Sequence, residues 1–429
     1  MSTLSSQPYK GTRDYYPEDK RTQNYIFNTW RQVVELFGYE EYGAPILEPI
    51  DIYAAKSGQE LVNDQTYVFT DRGGRTVAIR PEMTPTISRM VAARRQEMAY
   101  PARLYSIANF MRYERPQRGR EREFWQLNVD IFGVDDSTAD VEIITMADAI
   151  LKTLGGKDGD YIVRINNRKF INFMMSQYLG LDEVQAQQMT KLFDQRTKIT
   201  ELDFKDRAHL IFGDTSQDDA RFEKVTQLVM ATSIDQLPTE LQESDALEEL
   251  RSVFTQLEKA GVTSALFDAS LMRGLDYYSG TVFEVFDTHP DNNRSLFGGG
   301  RYDGLVGLFG AEPISAVGVA PGLTTIENFL TVRGLIPEQK SLTKLYIVVI
   351  DDAFDAANTV ASQLRAAGIS TEVDLTSKKI DKKIKTATKK NIEHVMFVGS
   401  NDVETYSVKN LLSEEEAKLS VADIIARFA

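Results

Sequence analysis

The chain has 429 residues with 49 Lys and Arg against 63 Asp and Glu, a formal net charge of −14, which argues against a surface coated by nucleic acid. With no cysteine and three scattered histidines, His209, His289 and His394, disulfides, thiolate metal sites and a histidine-rich metal centre are excluded. At about 100 to 200 residues per domain the length predicts two or three domains. The lack of a basic-then-apolar start, or of an apolar run near the ~20 residues that span a bilayer, predicts a cytoplasmic protein with no membrane partner.

Between Arg21 and Phe37 the apolar residues Ile26, Trp30, Val33, Val34 and Phe37 recur at helical spacing; GYEEYGAPILEP then turns the chain into an extended segment. TYVFTD, TVAIRP, ARLYSIANFMRYE and EFWQLNVDIFGV are rich in aromatic and β-branched residues and read as antiparallel strands, the first two joined by a turn at Asp71-Arg72-Gly73-Gly74. A helix over Asp140 to Leu154 follows, closed by Gly155 and Gly156. From about Lys169 to Leu250 the sequence is polar, Gln-rich and helix-forming, the pattern of a helical insertion into a sheet domain. Strands return at ALFDASLMRGLDYYSGTVFEVFD, then a glycine-rich turn, FGGGRYDGL, an apolar segment, ISAVGVAPGL, and a linker around Arg333 to Leu342. The remainder alternates strand and helix and predicts a small α/β module with a mixed sheet.

Two basic clusters oppose the acidic balance. One is Arg112, Arg115, Arg118, Arg120 and Arg122; the other is Lys378, Lys379, Lys382, Lys383, Lys385, Lys389 and Lys390. In the second, Lys378 with Lys382 and Lys379 with Lys383 form i, i+4 rows on one helix, either a face for a nucleic-acid stem or a plain solvated surface. The first lies in a hairpin, FMRYERPQRGREREFWQLNVDIFG. There an arginine fork grips phosphate oxygens, Glu114 accepts from an exocyclic amine and the ring of Phe124 stacks on a purine. Those are the parts of a nucleotide site, although a solvated arginine-rich hairpin has the same composition.

Arg-x-Glu followed by an arginine-bearing loop and Phe resembles motif 2 of the class II aminoacyl-tRNA synthetases, and RYERPQRGRxRxFWQ resembles the histidyl-tRNA synthetase family in particular. KGTRDYYP at the start, GYEEYGAPILEP with Pro45 as motif 1, RPEMTPTISR as the amino-acid pocket segment, and LMRGLDYYSGTVFE and GGGRYDGLV as the two histidine segments agree in order and spacing. The resemblance covers nearly the whole chain. It implies an α+β fold, with an antiparallel class II catalytic sheet in two parts, residues 1–168 and 251–332, a helical insertion at 169–250 and a C-terminal anticodon-binding α/β domain at 343–429.

The implied reaction is ligation of L-histidine to tRNA(His) through histidyl-adenylate, with ATP as co-substrate, Mg²⁺ bridging its outer phosphates, and a homodimer built around motif 1. Among site residues, the resemblance implies that Glu82, Thr84 and Gln126 hold the α-ammonium, and that Asp130 and Tyr278, with Tyr277 nearby, address the imidazole. Arg273 and Arg112 face the α-phosphate as catalytic groups; Glu114, Phe124 and Arg120 complete the ATP site. Gly298, Gly299 and Gly300 form the pocket floor, while Arg301, Tyr302 and Asp303 fit a tight turn as well as ligand contact. No protein metal site is implied.

One position departs from the family. Motif 3 ends on an arginine for the γ-phosphate at the start of a helix, whereas this chain reads Gly322-Leu323-Thr324-Thr325, and Arg333 is eight residues beyond, ~12 Å along a helix. Weaker ATP binding, rescue by Arg120 or Arg122 with Mg²⁺, and a synthetase-like histidine-sensing regulator that has lost aminoacylation are the three alternatives. The retained C-terminal module favours an enzyme.

Overall fold

Helix α1 (Pro17–Leu36) begins on a proline, whose missing N–H would have had no partner there, and the Asp19 carboxylate accepts from the Tyr16 N–H. Its buried stripe of Gln23, Ile26, Phe27, Trp30, Val33 and Val34 keeps the 3–4 spacing of an amphipathic helix. The computed structural model describes residues 4–54, 64–196, 199–213, 219–272, 277–338, 340–400 and 404–429. Its contacts divide the chain after Ile336 into two units.

In the first unit, β1 (Glu40–Glu41), β2 (Leu47–Pro49), α2 (Asp51–Ala54), β3 (Tyr67–Thr70), β4 (Thr76–Ile79), α3 (Thr84–Ala93), β5 (Ala102–Met111), β6 (Glu123–Phe132), α4 (Thr138–Thr153) and β7 (Tyr161–Asn167) follow α1. Then come α5 (Arg168–Phe173), α6 (Glu183–Gln195), α7 (Glu201–Phe212), α8 (Asp219–Met230), α9 (Thr239–Gln242) and α10 (Glu248–Lys259). The unit closes with β8 (Ala265–Phe267), β9 (Thr281–Asp287), β10 (Ser295–Arg301), β11 (Ala316–Val319) and α11 (Leu323–Arg333).

An eight-stranded sheet of order β1-β5-β6-β11-β10-β9-β7-β8 is the frame. Its inner pairs are antiparallel, and only the two outermost pairs, β1 with β5 and β7 with β8, are parallel. β2, β4 and β3 form a separate three-stranded sheet. The β3–β4 hairpin turns at Asp71, whose Oδ1 accepts from the N–H groups of Gly73 and Arg75.

Side chains alternate across β6 as strand geometry requires. Leu127, Val129 and Ile131 enter the main core with α1, α4 and α11, while Phe124, Gln126, Asn128 and Asp130 project to the opposite face, into a cavity. Phe193, Phe204, Val225 and Leu228 of the helical stretch belong to the same core cluster as the sheet.

One expectation needs correction here, and one strand goes beyond the sequence reading. FGGG lies within strand β10 rather than a turn: its three glycines pair with β9 and β11, where close strand approach leaves no room for Cβ atoms. The segment YIVRINN is β7, inner to the sheet, although its Arg and Asn residues hide the apolar alternation.

The second unit orders β12 (Leu345–Val349), α12 (Phe354–Ala366), β13 (Thr371–Val373), α13 (Ile380–Lys389), β14 (His394–Val398), β15 (Tyr406–Asn410), β16 (Glu416–Leu419) and α14 (Val421–Phe428). The sheet β13-β12-β14-β15-β16 is mixed: parallel in its first three strands, antiparallel in the last two. Apolar clusters cover both faces.

The lysine rows also need correction. Lys378 and Lys379 precede α13, and Lys383 is buried with its Nζ donating to the Val349 carbonyl at 2.9 Å. Lys378, Lys379, Lys382, Lys385, Lys389 and Lys390 remain exposed. Among the described residues no helix is long and apolar enough to cross a membrane.

Candidate active site

The cavity over the sheet has a volume of about 500 Å³, within the size range of small-molecule sites. β6 supplies one wall, with Phe124 at the hairpin end and Asp130 at the deep end, three strand repeats apart. Such a strand lays out a row of functional groups at fixed intervals of two residues.

The deep end is closed by backbone. A Cβ on Gly299 would lie 2.2 Å from the Gly318 carbonyl oxygen, one on Gly318 would lie 2.2 Å from Asp130 Oδ1, and one on Gly300 would lie 2.6 Å from the Thr281 carbonyl and 3.0 Å from the Tyr278 ring. Gly298, Gly299 and Gly318 line the cavity; Gly300 backs it through Tyr278. The glycines therefore let β9, β10 and β11 approach closely enough to seat Asp130 and Tyr278.

Asp130 is buried, and Tyr302 Oη donates to its Oδ1 at 2.5 Å. Burial pushes the Asp130 carboxyl up to about 7, against the pull of that hydrogen bond. Tyr277 Oη donates to Glu82 Oε2 at 3.0 Å, and burial followed by the Glu82 charge holds the Tyr277 phenol well above its ordinary value. Tyr277, Tyr278 and Tyr302 pack edge-on, with Tyr277 5.1 Å and 5.8 Å from the other two. Thr84, at the first position of α3, and Gln126, whose Nε2 donates to the Ala320 carbonyl, line the same wall. The deep end thus offers carboxylates, phenols, a hydroxyl and an amide, a set that suits a small cationic or hydrogen-bonding substrate.

The open end is built by the β5–β6 hairpin. Arg112 Nε donates to the Pro81 carbonyl at 2.9 Å, and its guanidinium lies 5.3 Å over the Phe124 ring. Phe124 in turn stacks on Phe110. Glu114 is held by Arg120 at 3.1 Å. Arg112, Glu114, Arg120 and Phe124 all line the cavity. Arg122 does not: its guanidinium lies 4.0 Å over Tyr113 and 5.5 Å over Tyr9, and its Nη1 donates to Tyr9 Oη. Of the two loop arginines weighed for rescue, only Arg120 faces the cavity.

The first turn of α11 lines the same cavity through Leu323, Thr324 and Thr325. Thr325 Oγ1 donates to the carbonyls of Leu296 and Gly322 at 2.6 and 2.9 Å, and Thr324 Oγ1 donates to Glu121 Oε2. Arg333, at the far end of the helix, is taken up by Asp287 and the Asp160 carbonyl. Arg273 lies outside the described residues, as do Gly274, Leu275 and Asp276.

Sequence reasoning missed Asn128, Trp125 and Gly318 as cavity-lining residues and left Tyr302 unassigned. Asn128 was recoverable from the alternation of β6 between Gln126 and Asp130. Gly318 was recoverable only once β11 was known to pair with β6, opposite Asp130. Arg301 serves the scaffold, forming a buried pair with Asp140 of α4 and capping the carbonyls of Val134 and Asp136.

Comparison with known proteins bears on this arrangement. The sequence model of the histidyl-tRNA synthetase family matches residues 11–326, and that of the anticodon binding domain matches residues 344–429. The histidine–tRNA ligase of Leptospira biflexa serovar Patoc is 40% identical over 430 residues, covering 99% of this chain and 97% of that protein. The crystal structure of histidyl-tRNA synthetase from Nostoc sp. PCC 7120 superposes with a TM-score of 0.83 at 24% identity, covering 99% of both chains. An ATP phosphoribosyltransferase regulatory subunit/histidyl-tRNA synthetase from Bacillus halodurans C shares the fold with a TM-score of 0.76 at 23% identity, covering 93% of this chain and 100% of that one.

Proposed function

The chain belongs to the histidyl-tRNA synthetase family, and from that premise we propose how its cavity divides the work of a histidine–tRNA ligase. The reaction activates L-histidine with ATP to histidyl-adenylate and transfers the histidyl group to tRNA. The observation that carries the assignment is the single cavity with an acid- and phenol-rich deep end and an arginine-rich open end, joined by one face of β6.

Histidine occupies the deep end. Its α-ammonium meets Glu82, Thr84 and Gln126, and its imidazole meets Asp130 and Tyr278, with Tyr277 bracing Glu82. An amino acid with an apolar side chain of similar size would offer Asp130 and Tyr278 no polar group in exchange for the water it displaces, which is a strong basis for rejection. Gly298 and Gly299 admit the substrate because no side chain projects from them, while Gly300 lets Tyr278 pack behind the pocket.

ATP occupies the open end, its adenine stacked on Phe124 with the exocyclic amine donating to Glu114. Glu114 and Arg120 pair with each other, so an adenine that takes over Glu114 frees Arg120 for the outer phosphates. Arg112 and Arg273 grip the α-phosphate. As the histidine carboxylate oxygen attacks the α-phosphorus, the bond to the bridging oxygen breaks and pyrophosphate leaves. The two guanidiniums stabilise the charge on the phosphoryl oxygens without a covalent enzyme intermediate. The terminal ribose hydroxyl of tRNA then attacks the histidyl carbonyl and AMP departs.

Among the described residues no group of three acidic or histidine side chains could hold a metal ion, while Glu121 lines the cavity beside Arg120. Mg²⁺ would enter on the nucleotide, where Glu121 would help to hold it and the ion would neutralise charge on the outer phosphates. The segment around Pro45 would form a homodimer contact, and the cytoplasm is the compartment in which the reaction is expected.

The domains divide the reaction as well. Residues 1–168 and 251–332 carry activation, 169–250 form an insertion into that domain, and 343–429 recognise the anticodon arm of tRNA(His). A chain ending at Ile336 keeps the main hydrophobic core and every cavity residue. It should retain histidine-dependent ATP–pyrophosphate exchange within about tenfold while charging of tRNA(His) falls more than about 100-fold. Equal loss of both activities in a folded truncation would contradict that division. The alternative of a histidine-sensing regulator is not favoured, because the ligase of Leptospira biflexa matches across the full chain, C-terminal module included.

A further inference from the structure

The N-terminal KGTRD segment is laid across the base of the β5–β6 loop and onto α11. Gly11 takes a positive φ of +87°, and its carbonyl accepts from the Arg122 N–H at 2.6 Å. A Cβ there would strike the Arg122 side chain at 2.7 Å, so the segment and the loop are fitted to each other. Two residues later Arg13 reaches α11: its Nη2 meets Glu327 Oε2 at 2.5 Å, and its Nε lies 3.7 Å from Glu121 Oε1. Thr324 of α11 donates to the other oxygen of Glu121 at 3.1 Å. Three segments far apart in sequence are thereby tied into one ring.

The ring sits at the end of the cavity where the family pattern places an arginine and this chain has Thr325. The Thr325 hydroxyl is committed to two carbonyls, so it offers nothing to a phosphate. Glu327 is largely buried, its side chain 14% exposed, and a carboxylate so placed needs a cationic partner to remain ionised. Arg13 supplies it. Arg13 does not line the cavity, whereas its partner Glu121 does, together with the neighbouring Arg120.

We propose that Arg13 is a positioning residue for ATP, clamping Glu121 between the N-terminal segment and α11 so that Arg120 is presented to the outer phosphates in the absence of a motif 3 arginine. The inference rests on the reading of the open end as the ATP site. Losing Arg13 leaves the histidine end untouched but frees the loop that carries Arg120.

The test is ATP–pyrophosphate exchange by the full-length protein and its Arg13→Met and Arg13→Lys variants, with ATP varied at saturating histidine and histidine varied at saturating ATP. A lost charge-assisted contact predicts a rise in KM for ATP of at least about tenfold in Arg13→Met, with KM for histidine within twofold and recovery to within about threefold in Arg13→Lys. An ATP KM within twofold of the parent in folded Arg13→Met would overturn the proposal. So would a parallel rise of both KM values with a lowered Tm, the signature of a general brace. If Arg13→Met does not fold, Glu327→Gln releases Arg13 from α11 without altering a cavity residue and must show the same ATP-specific rise; an unchanged ATP KM there overturns the proposal equally. Failure of the underlying site reading looks different, since the parent protein itself would then show no histidine-dependent exchange.

Discussion

Asp130 illustrates what a single residue can and cannot announce. Its position two strand repeats beyond Gln126 is visible in the sequence, but its burial and its bond from Tyr302 depend on β10 and β11 coming alongside. With its carboxyl pushed up to about 7 from 3.8, the folded chain holds a proton on Asp130 that the unfolded chain releases above about pH 4. Both states are protonated below that point, so the residue's stability contribution falls as pH rises from about 4 to 7 and levels off above, by roughly 4 kcal/mol in all at 1.36 kcal/mol per unit. Asp130→Asn removes the titration and keeps an acceptor for Tyr302. Its Tm relative to the parent should climb between pH 4 and 7 and then plateau, as followed by circular dichroism melts; a pH-independent difference would show that Asp130 does not hold its proton in the fold. The loop arginines carry the same lesson, because Arg120 and Arg122 are equivalent in sequence. The rings of Tyr9 and Tyr113 and the Glu114 carbonyl hold Arg122 out of the cavity, and neither ring could be matched to it from composition.

At the level of elements, long strands with clean alternation such as β5 and β6 were legible, as were α1, α4 and the hairpin at Asp71. β7 was not, because Arg164, Asn166 and Asn167 interrupt its apolar run; Asn166 and Asn167 are nonetheless buried, and the Asn166 amide is satisfied by the carbonyls of Ala269 and Leu271. β15 and β16 escaped for the opposite reason, since an edge hairpin such as YSVKN and EAKL keeps one polar face. The glycine run of β10 read as a turn because glycine is rare inside strands, yet strand packing beneath the cavity demands it. Gly318→Ala tests this directly. A methyl group 2.2 Å from Asp130 Oδ1 should displace the carboxylate, raise KM for histidine more than about tenfold and cost about 1–3 kcal/mol of stability through overpacking. Gly304→Ala, where nothing lies within 4 Å, is the matched control. Unaltered histidine kinetics in Gly318→Ala would mean that Asp130 does not touch the substrate.

Across the whole molecule, the order of motifs along the chain carried most of the functional reading, since several short signatures in register specify a fold that no one of them does. The acidic net charge gave a poor guide to the partners, because charge is distributed locally: arginines line the cavity, and the lysines of and beside α13 other than Lys383 stay exposed. The substitution at Thr325 bears on the molecule as a working unit. On the proposed reading, Arg120, which faces the cavity beside Glu121, supplies the phosphate contact that the Thr325 hydroxyl, committed to two carbonyls, does not. Activation of histidine by a chain with Thr325 in place of the motif 3 arginine can be measured as ATP–pyrophosphate exchange by the purified protein against each amino acid in turn, with Arg273→Ala alongside. Exchange is expected with histidine alone, reduced by about 100-fold or more in the variant; a folded protein that binds histidine in a calorimeter yet supports no exchange would contradict a ligase.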